Sequence, residues 1–127
     1  MPKIPSVVER AYHGTLEEQD DTNLWMTAAV RGAGGDMTVL LRGNAVNYAV
    51  EGQDASGLNI GGIPLSVPPK IDEDVADLIG KGVSVYAVLE DLQARAISEG
   101  DMVGGVQVIP QAKVAELWDQ HDSIWHW

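Results

Sequence analysis

Residues 37 to 52 read MTVLLRGNAVNYAVEG, and the order of residue types in this stretch decides the fold. Met37 to Leu41 form an unbroken apolar run between Gly35 and Gly43, which suits a strand buried on both faces of a parallel sheet. Gly43 then supplies a turn and Asn44 an N-cap, and Ala45, Val46, Ala49 and Val50 give the packing residues of a helix that stops at Gly52. A strand running through a tight turn into a helix is the unit from which open α/β sheets are assembled.

The same alternation extends in both directions. Upstream, IPSVVERAY has the β-branched and aromatic character of a first strand, and HGTLEEQDDTN follows as a polar, acidic loop. Asp21, Thr22 or Asn23 caps the helix LWMTAAVRGAG, which packs through Leu24, Met26, Thr27, Ala28 and Val30 and ends at Gly32, Gly34 and Gly35. Downstream, QDASGLNIGGIPLSVPPK reads as a surface loop. Asp72 caps EDVADLIGKG, whose Val75, Ala76, Leu78 and Ile79 face the sheet, and VSVYAV is the next strand. LEDLQARAIS is a short helix or turn, VQVIP a strand ended by Pro110, QAKVAELWDQH a helix with Val114, Leu117 and Trp118 inward, and DSIWHW an alternating last strand.

Strands that alternate with helices pair in parallel through right-handed crossovers. The expected architecture is therefore α/β, a single-domain flavodoxin-like three-layer sandwich over residues 1–127, with a mostly parallel sheet of about five strands and helices on both faces. A chain of 127 residues suffices for one core and is short for two.

Composition removes several function classes. A formal charge of −11 repels phosphate backbones and anionic lipid surfaces, and the eight Lys and Arg residues are scattered, so neither nucleic acid nor membrane is an expected partner. No apolar run reaches the length of a membrane span and the start has no signal-peptide core, which makes the cytoplasm the expected location. The absence of cysteine excludes disulfides, thiolate metal sites and thiol nucleophiles. Three of the four Trp residues, Trp118, Trp125 and Trp127, fall in the last ten positions, so the tail is expected to pack on the core or in a subunit contact.

Candidate chemistry is sparse. RGAGGD, residues 31 to 36, follows a helix and precedes a strand, the reverse of a phosphate cradle, and reads as a helix stop. RGNAVNYAVEG has the right order, and its amides at Asn44 to Val46 would hold a small anion near Arg42, although an ordinary N-cap explains the single glycine as well. His121 and His126 sit on different elements with no third ligand at metal spacing; no metal and no cofactor are expected. Glu90 and Asp91 are adjacent carboxylates on a turn, which point apart and suit a helix start better than acid-base work. No Ser lies in a nucleophile elbow. No catalytic residue is assigned. A candidate ligand site comprises His13, Arg42, Asn44, Glu90 and Arg95, which share the rim where the strands end, and candidate interface residues are Trp125, Trp127, Ile63 and Leu65.

The pattern formed by LWMTAAVRGAGG, MTVLLRGNAVNYAVEG, DEDVADLIGKGVSVYAV, LQARAIS and GGVQVIPQAKVAELWDQHDSIWHW resembles the DsrE/DsrF-like family of small sulfur-relay α/β proteins over nearly all of the chain after about residue 20. The resemblance implies assembly into homo-oligomers, commonly trimers or hexamers. It also implies that sulfur-carrying members bear a persulfide cysteine just past the strand equivalent to VSVYAV. Here that stretch is Val88, Leu89, Glu90 and Asp91, none of which bears sulfur.

Three functions are consistent with this reading. The first is a non-catalytic homo-oligomeric module that binds or scaffolds in a sulfur-metabolism-type context. The second is an enzyme or small-anion-binding protein using the rim with His13, Arg42, Asn44 and Glu90. The third is a subunit docking to a thiol-bearing protein partner.

Overall fold

The computed structural model describes residues 2–11, 21–66 and 68–127. A five-stranded, all-parallel sheet is built from β1 (Lys3–Val8), β2 (Asp36–Leu41), β5 (Ser84–Val88), β6 (Gln107–Ile109) and β7 (Trp125–His126), in the spatial order β6-β5-β2-β1-β7. The remaining two strands, β3 (Asn59–Ile60) and β4 (Ile63–Pro64), form a separate antiparallel ribbon. The helices are α1 (Thr22–Gly32), α2 (Ile71–Gly80), α3 (Leu89–Ala94) and α4 (Val114–Asp119), with short 3-10 segments at Gly43–Ala49, Glu99–Asp101 and Gln111–Lys113. The three-layer α/β architecture expected from the alternation is present. Its strand order differs from that of flavodoxin: the chain steps from β1 to β2, β5 and β6 in one direction and then returns to place β7 on the other side of β1.

Period-two alternation along the strands divides the core between the two sheet faces. Val8, Val39, Leu41, Val85 and Ala87 join Leu24 of α1, Val75 and Leu78 of α2 and Leu92 of α3 in one cluster. Val7, Leu40 and Val88 point the other way and meet Val114 and Leu117 of α4. Burying each such aliphatic side chain contributes about 1.5 to 3 kcal/mol before chain entropy is set against it. The face with α1, α2 and α3 is therefore the main core, and α4 gives the second face a thin cover.

Local boundaries follow side-chain chemistry. Asp21, 2 % exposed, caps α1 by accepting from the amides of Asn23 (2.9 Å) and Leu24 (3.1 Å), and its other oxygen accepts from the hydroxyl of fully buried Tyr48 at 2.5 Å. Asp21, read as part of the polar, acidic loop HGTLEEQDDTN, is thus a core group; residues 12–20 lie outside the described residues. Gly34, at φ +94°, closes α1, as the helix-stop reading of RGAGGD requires.

Four local expectations need correction. β1 ends at Val8, so Glu9 and Arg10 are rim residues and not strand residues. Residues 43 to 49 are a 3-10 segment whose capping position is Arg42, without a side-chain cap; Gly43 is left-handed at φ +56°, and Asn44 lies inside the turn. α2 is entered through Lys70, while Asp72, in its first turn, accepts from the Gly52 amide at 2.8 Å and so ties the helix to the preceding loop; Ala76 of that helix faces solvent. The segment expected to be a plain loop contains the ribbon, turned by Gly61 and Gly62, both at positive φ as a tight primed hairpin requires.

Candidate functional site

The carboxyl ends of the parallel strands form one rim, and the residues just beyond them carry its charge. Glu9 follows β1, Arg42 follows β2, Glu90 and Asp91 follow β5, and His126 lies in β7. Three groupings result.

In the first, Arg95 holds Asn44 through two contacts from Nε (3.2 Å) and Nη2 (2.7 Å) to the amide oxygen, and its Nη1 donates to the Asp91 carbonyl at 3.0 Å. Beneath it, the Asp91 carboxylate accepts from the Gly43 amide at 2.9 Å, and the Ala45 amide donates to the carbonyls of Glu9 and Arg42. In the turn that has the order of an anion cradle, the Gly43 amide thus holds a side chain of the same protein and the Ala45 amide is bonded to main-chain carbonyls. In the second, Glu90 turns away from Asp91 and accepts from the Gln111 amide at 2.6 Å, fixing the start of the segment that leads into α4. The two adjacent carboxylates serve opposite faces, as expected of neighbours on a helix start.

The third grouping joins residues far apart in sequence. Glu9 Oε1 lies 3.2 Å from Arg42 Nε and 2.9 Å from His126 Nε2. All three side chains are partly open to solvent, at 30 % for Arg42, 38 % for Glu9 and 57 % for His126.

Of the candidate ligand-site residues, Asn44 and Arg95 are directly bonded, Arg42 is paired with Glu9, and Glu90 is engaged with Gln111. His13 lies outside the described residues. Sequence reasoning did not find Glu9 or His126 as partners of Arg42. The available signal was the alternation of DSIWHW, which sets His126 on the face opposite to Trp125 and Trp127. His121 closes α4, with Nδ1 2.7 Å from the Leu117 carbonyl and Nε2 3.0 Å from the Thr38 hydroxyl. Among the described residues no cluster of three or more His, Asp or Glu side chains is placed to hold a metal ion.

The candidate interface residues divide by exposure. Trp127 is 40 % exposed, donates its indole N–H to the Ser6 hydroxyl at 2.8 Å and meets Trp125 edge-on with centroids 6.4 Å apart. Ile63 is 53 % exposed beside Leu58 and Ile60 on the ribbon, and Leu65 is half-buried, its amide donating to Leu58. No helix among the described residues is long and apolar enough to cross a membrane.

The fold defines a parallel α/β protein whose chain order reverses at β1, and solved structures share it. Over all of both chains it superposes on the ychN protein from E. coli with a TM-score of 0.77 at 22 % identity. Over 98 % of both chains it superposes on MTH1491, a protein of unknown function from Methanobacterium thermoautotrophicum, with a TM-score of 0.63 at 18 % identity. At these identities the likeness is one of fold. No family model and no curated protein matches the chain.

Proposed function

We propose that the chain is a cysteine-free member of the DsrE/DsrF-like family. In this reading it works as a homo-oligomeric module, a trimer or hexamer, that binds or scaffolds in a sulfur-metabolism-type setting and carries no persulfide itself. One observation carries the reading. At the place where the resemblance puts a sulfur-bearing cysteine, just past β5, this chain has Glu90 and Asp91, and both carboxylates are spent on backbone amides of neighbouring segments. The position has become a structural joint between β2, β5 and α4. A carboxylate forms no persulfide at any protonation state, so the scaffold is retained without its transfer chemistry.

The surface supports the oligomeric part. Residues 55 to 69, ASGLNIGGIPLSVPP, contain no charged side chain, although the chain as a whole carries −11. Within them the ribbon exposes Leu58, Ile60 and Ile63 at 47 to 53 %. An isolated two-stranded ribbon is marginal in water and gains stability when its apolar side chains are covered. Two copies of so acidic a chain repel each other except where a neutral surface meets a neutral surface.

The functional part is tested by incubating the purified protein with a labelled sulfane-sulfur donor, alone and then with a thiol acceptor. The proposal expects no label on the protein and no acceleration of transfer. Label that stays with the protein through denaturing gel filtration and is released by a reducing agent would overturn it.

A further inference from the structure

We infer that the rim cluster of Arg42, His126 and Glu9, at the point where the chain order of the sheet reverses, is a binding site for a small oxyanion, a carboxylate or a phosphate. The inference does not rest on the oligomeric reading, since all three residues belong to one chain and a monomer would hold them equally.

Sheet topology brings the cluster together. β7 lies against β1 with His126 opposite Val7, and β2 lies on the other side of β1 with Leu40 opposite Val7. Val7 and Leu40 point toward α4, His126 shares the face of its register partner Val7, and Glu9 and Arg42, just past the ends of β1 and β2, meet at that end of the sheet. The crevice outside the carboxyl ends of strands, where the order reverses, is the general ligand position of open α/β sheets, because loops diverge there and leave space between strand ends. The cluster stands outside the carboxyl ends of β1, β2 and β7, the end of the sheet at which such folds place ligands.

The bonding valences select the ligand. Glu9 offers one oxygen to both the Arg42 guanidinium and the His126 ring, holding them side by side. Among the described residues no other partner engages the Arg42 guanidinium or the His126 ring, so both terminal nitrogens of Arg42 and Nδ1 of His126 remain available. The guanidinium edge is a planar fork that matches the oxygens of a carboxylate or phosphate. With Nε2 turned to Glu9, Nδ1 is the second polar atom of the His126 ring, a donor when the ring is in its imidazolium form. At the turn by Gly43 a carboxylate of the chain occupies the donor, whereas the Arg42 side chain is 30 % exposed.

The test titrates inorganic phosphate and, separately, acetate into isotope-labelled protein at constant ionic strength, with chloride as the balancing anion, and follows backbone amides and histidine ring signals by NMR. The expected result is a saturable shift centred on Glu9, Arg42 and His126. Arg42→Gln should weaken binding by about tenfold or more, the loss expected for a bidentate charge-assisted contact, and His126→Gln should weaken it as well. Lys113→Gln, an exposed cation on another segment, should titrate like the parent. Saturation by phosphate alone would assign a phosphate ligand, and saturation by both would assign a general carboxylate or phosphate site. The inference is overturned if neither anion saturates, or if either Gln variant, with its native spectrum intact, binds as the parent does.

Discussion

Replacing Asp21 by Ala tests whether one buried carboxylate joins α1 to the 3-10 segment of residues 43–49. Asp21 is 2 % exposed and performs two tasks: one oxygen receives the amides of Asn23 and Leu24, and the other receives the Tyr48 hydroxyl. Loss of the cap costs about 1 kcal/mol, and loss of a hydrogen bond to a charged group costs about 1.5 to 3 kcal/mol more. Asp21→Ala should therefore destabilise by about 2.5 to 4 kcal/mol. Tyr48→Phe, which keeps the ring in the core and removes only the hydroxyl, should cost about 1.5 to 3 kcal/mol. The double variant should cost about 1.5 to 3 kcal/mol less than the sum of the two, since the shared bond is lost once. Urea unfolding at fixed protein concentration measures all three, with a midpoint shift of about 1 to 2 M for Asp21→Ala. A shift of a few tenths of a molar for Asp21→Ala, or strict additivity in the cycle, would refute the assigned role.

Further outcomes follow from other positions. Ile63→Asp places a charge on the 53 % exposed tip of the ribbon and should leave the circular dichroism unchanged while lowering the solution mass toward that of a single chain, as measured by light scattering. Gly43→Ala puts a side chain at φ +56°, with its Cβ 3.3 Å from the Glu9 carbonyl, and should cost about 1 to 3 kcal/mol in urea unfolding. The Asp101 carboxyl is held below its ordinary range by the Ser98 hydroxyl first and the Ser98 amide second. A carboxyl lowered in the folded state adds stability above its unfolded value and loses it as pH falls through the folded one; the difference in unfolding midpoint between the parent and Asp101→Asn should thus be present at neutral pH and vanish in strong acid.

Much of the fold was legible because the informative signals are local. The apolar runs at 37–41 and 83–88 are strands within a residue of their expected ends, and Asp21 and Gly34 bound α1 as capping chemistry requires. Where tertiary contacts compete with local preference, the sequence misled. Asn44 is a good N-cap by type, yet the Asp91 carboxylate takes the Gly43 amide and Arg95 takes the Asn44 side chain, so the turn tightens into a 3-10 segment. Asp72 is likewise a capping residue by type, and bonds to Gly52 instead. The rim cluster was not legible, because Glu9 and His126 meet only through the return of the chain to the far side of β1, a step that periodicity does not encode. The order of strands is decided by crossover packing, and strand patterns alone leave it open.

The mass of the intact protein in solution, by light scattering across a range of concentrations, bears most directly on the proposed oligomeric module. The account predicts three or six times the chain mass of 13.6 kDa, stable on dilution. A particle of 13.6 kDa at every concentration would contradict it.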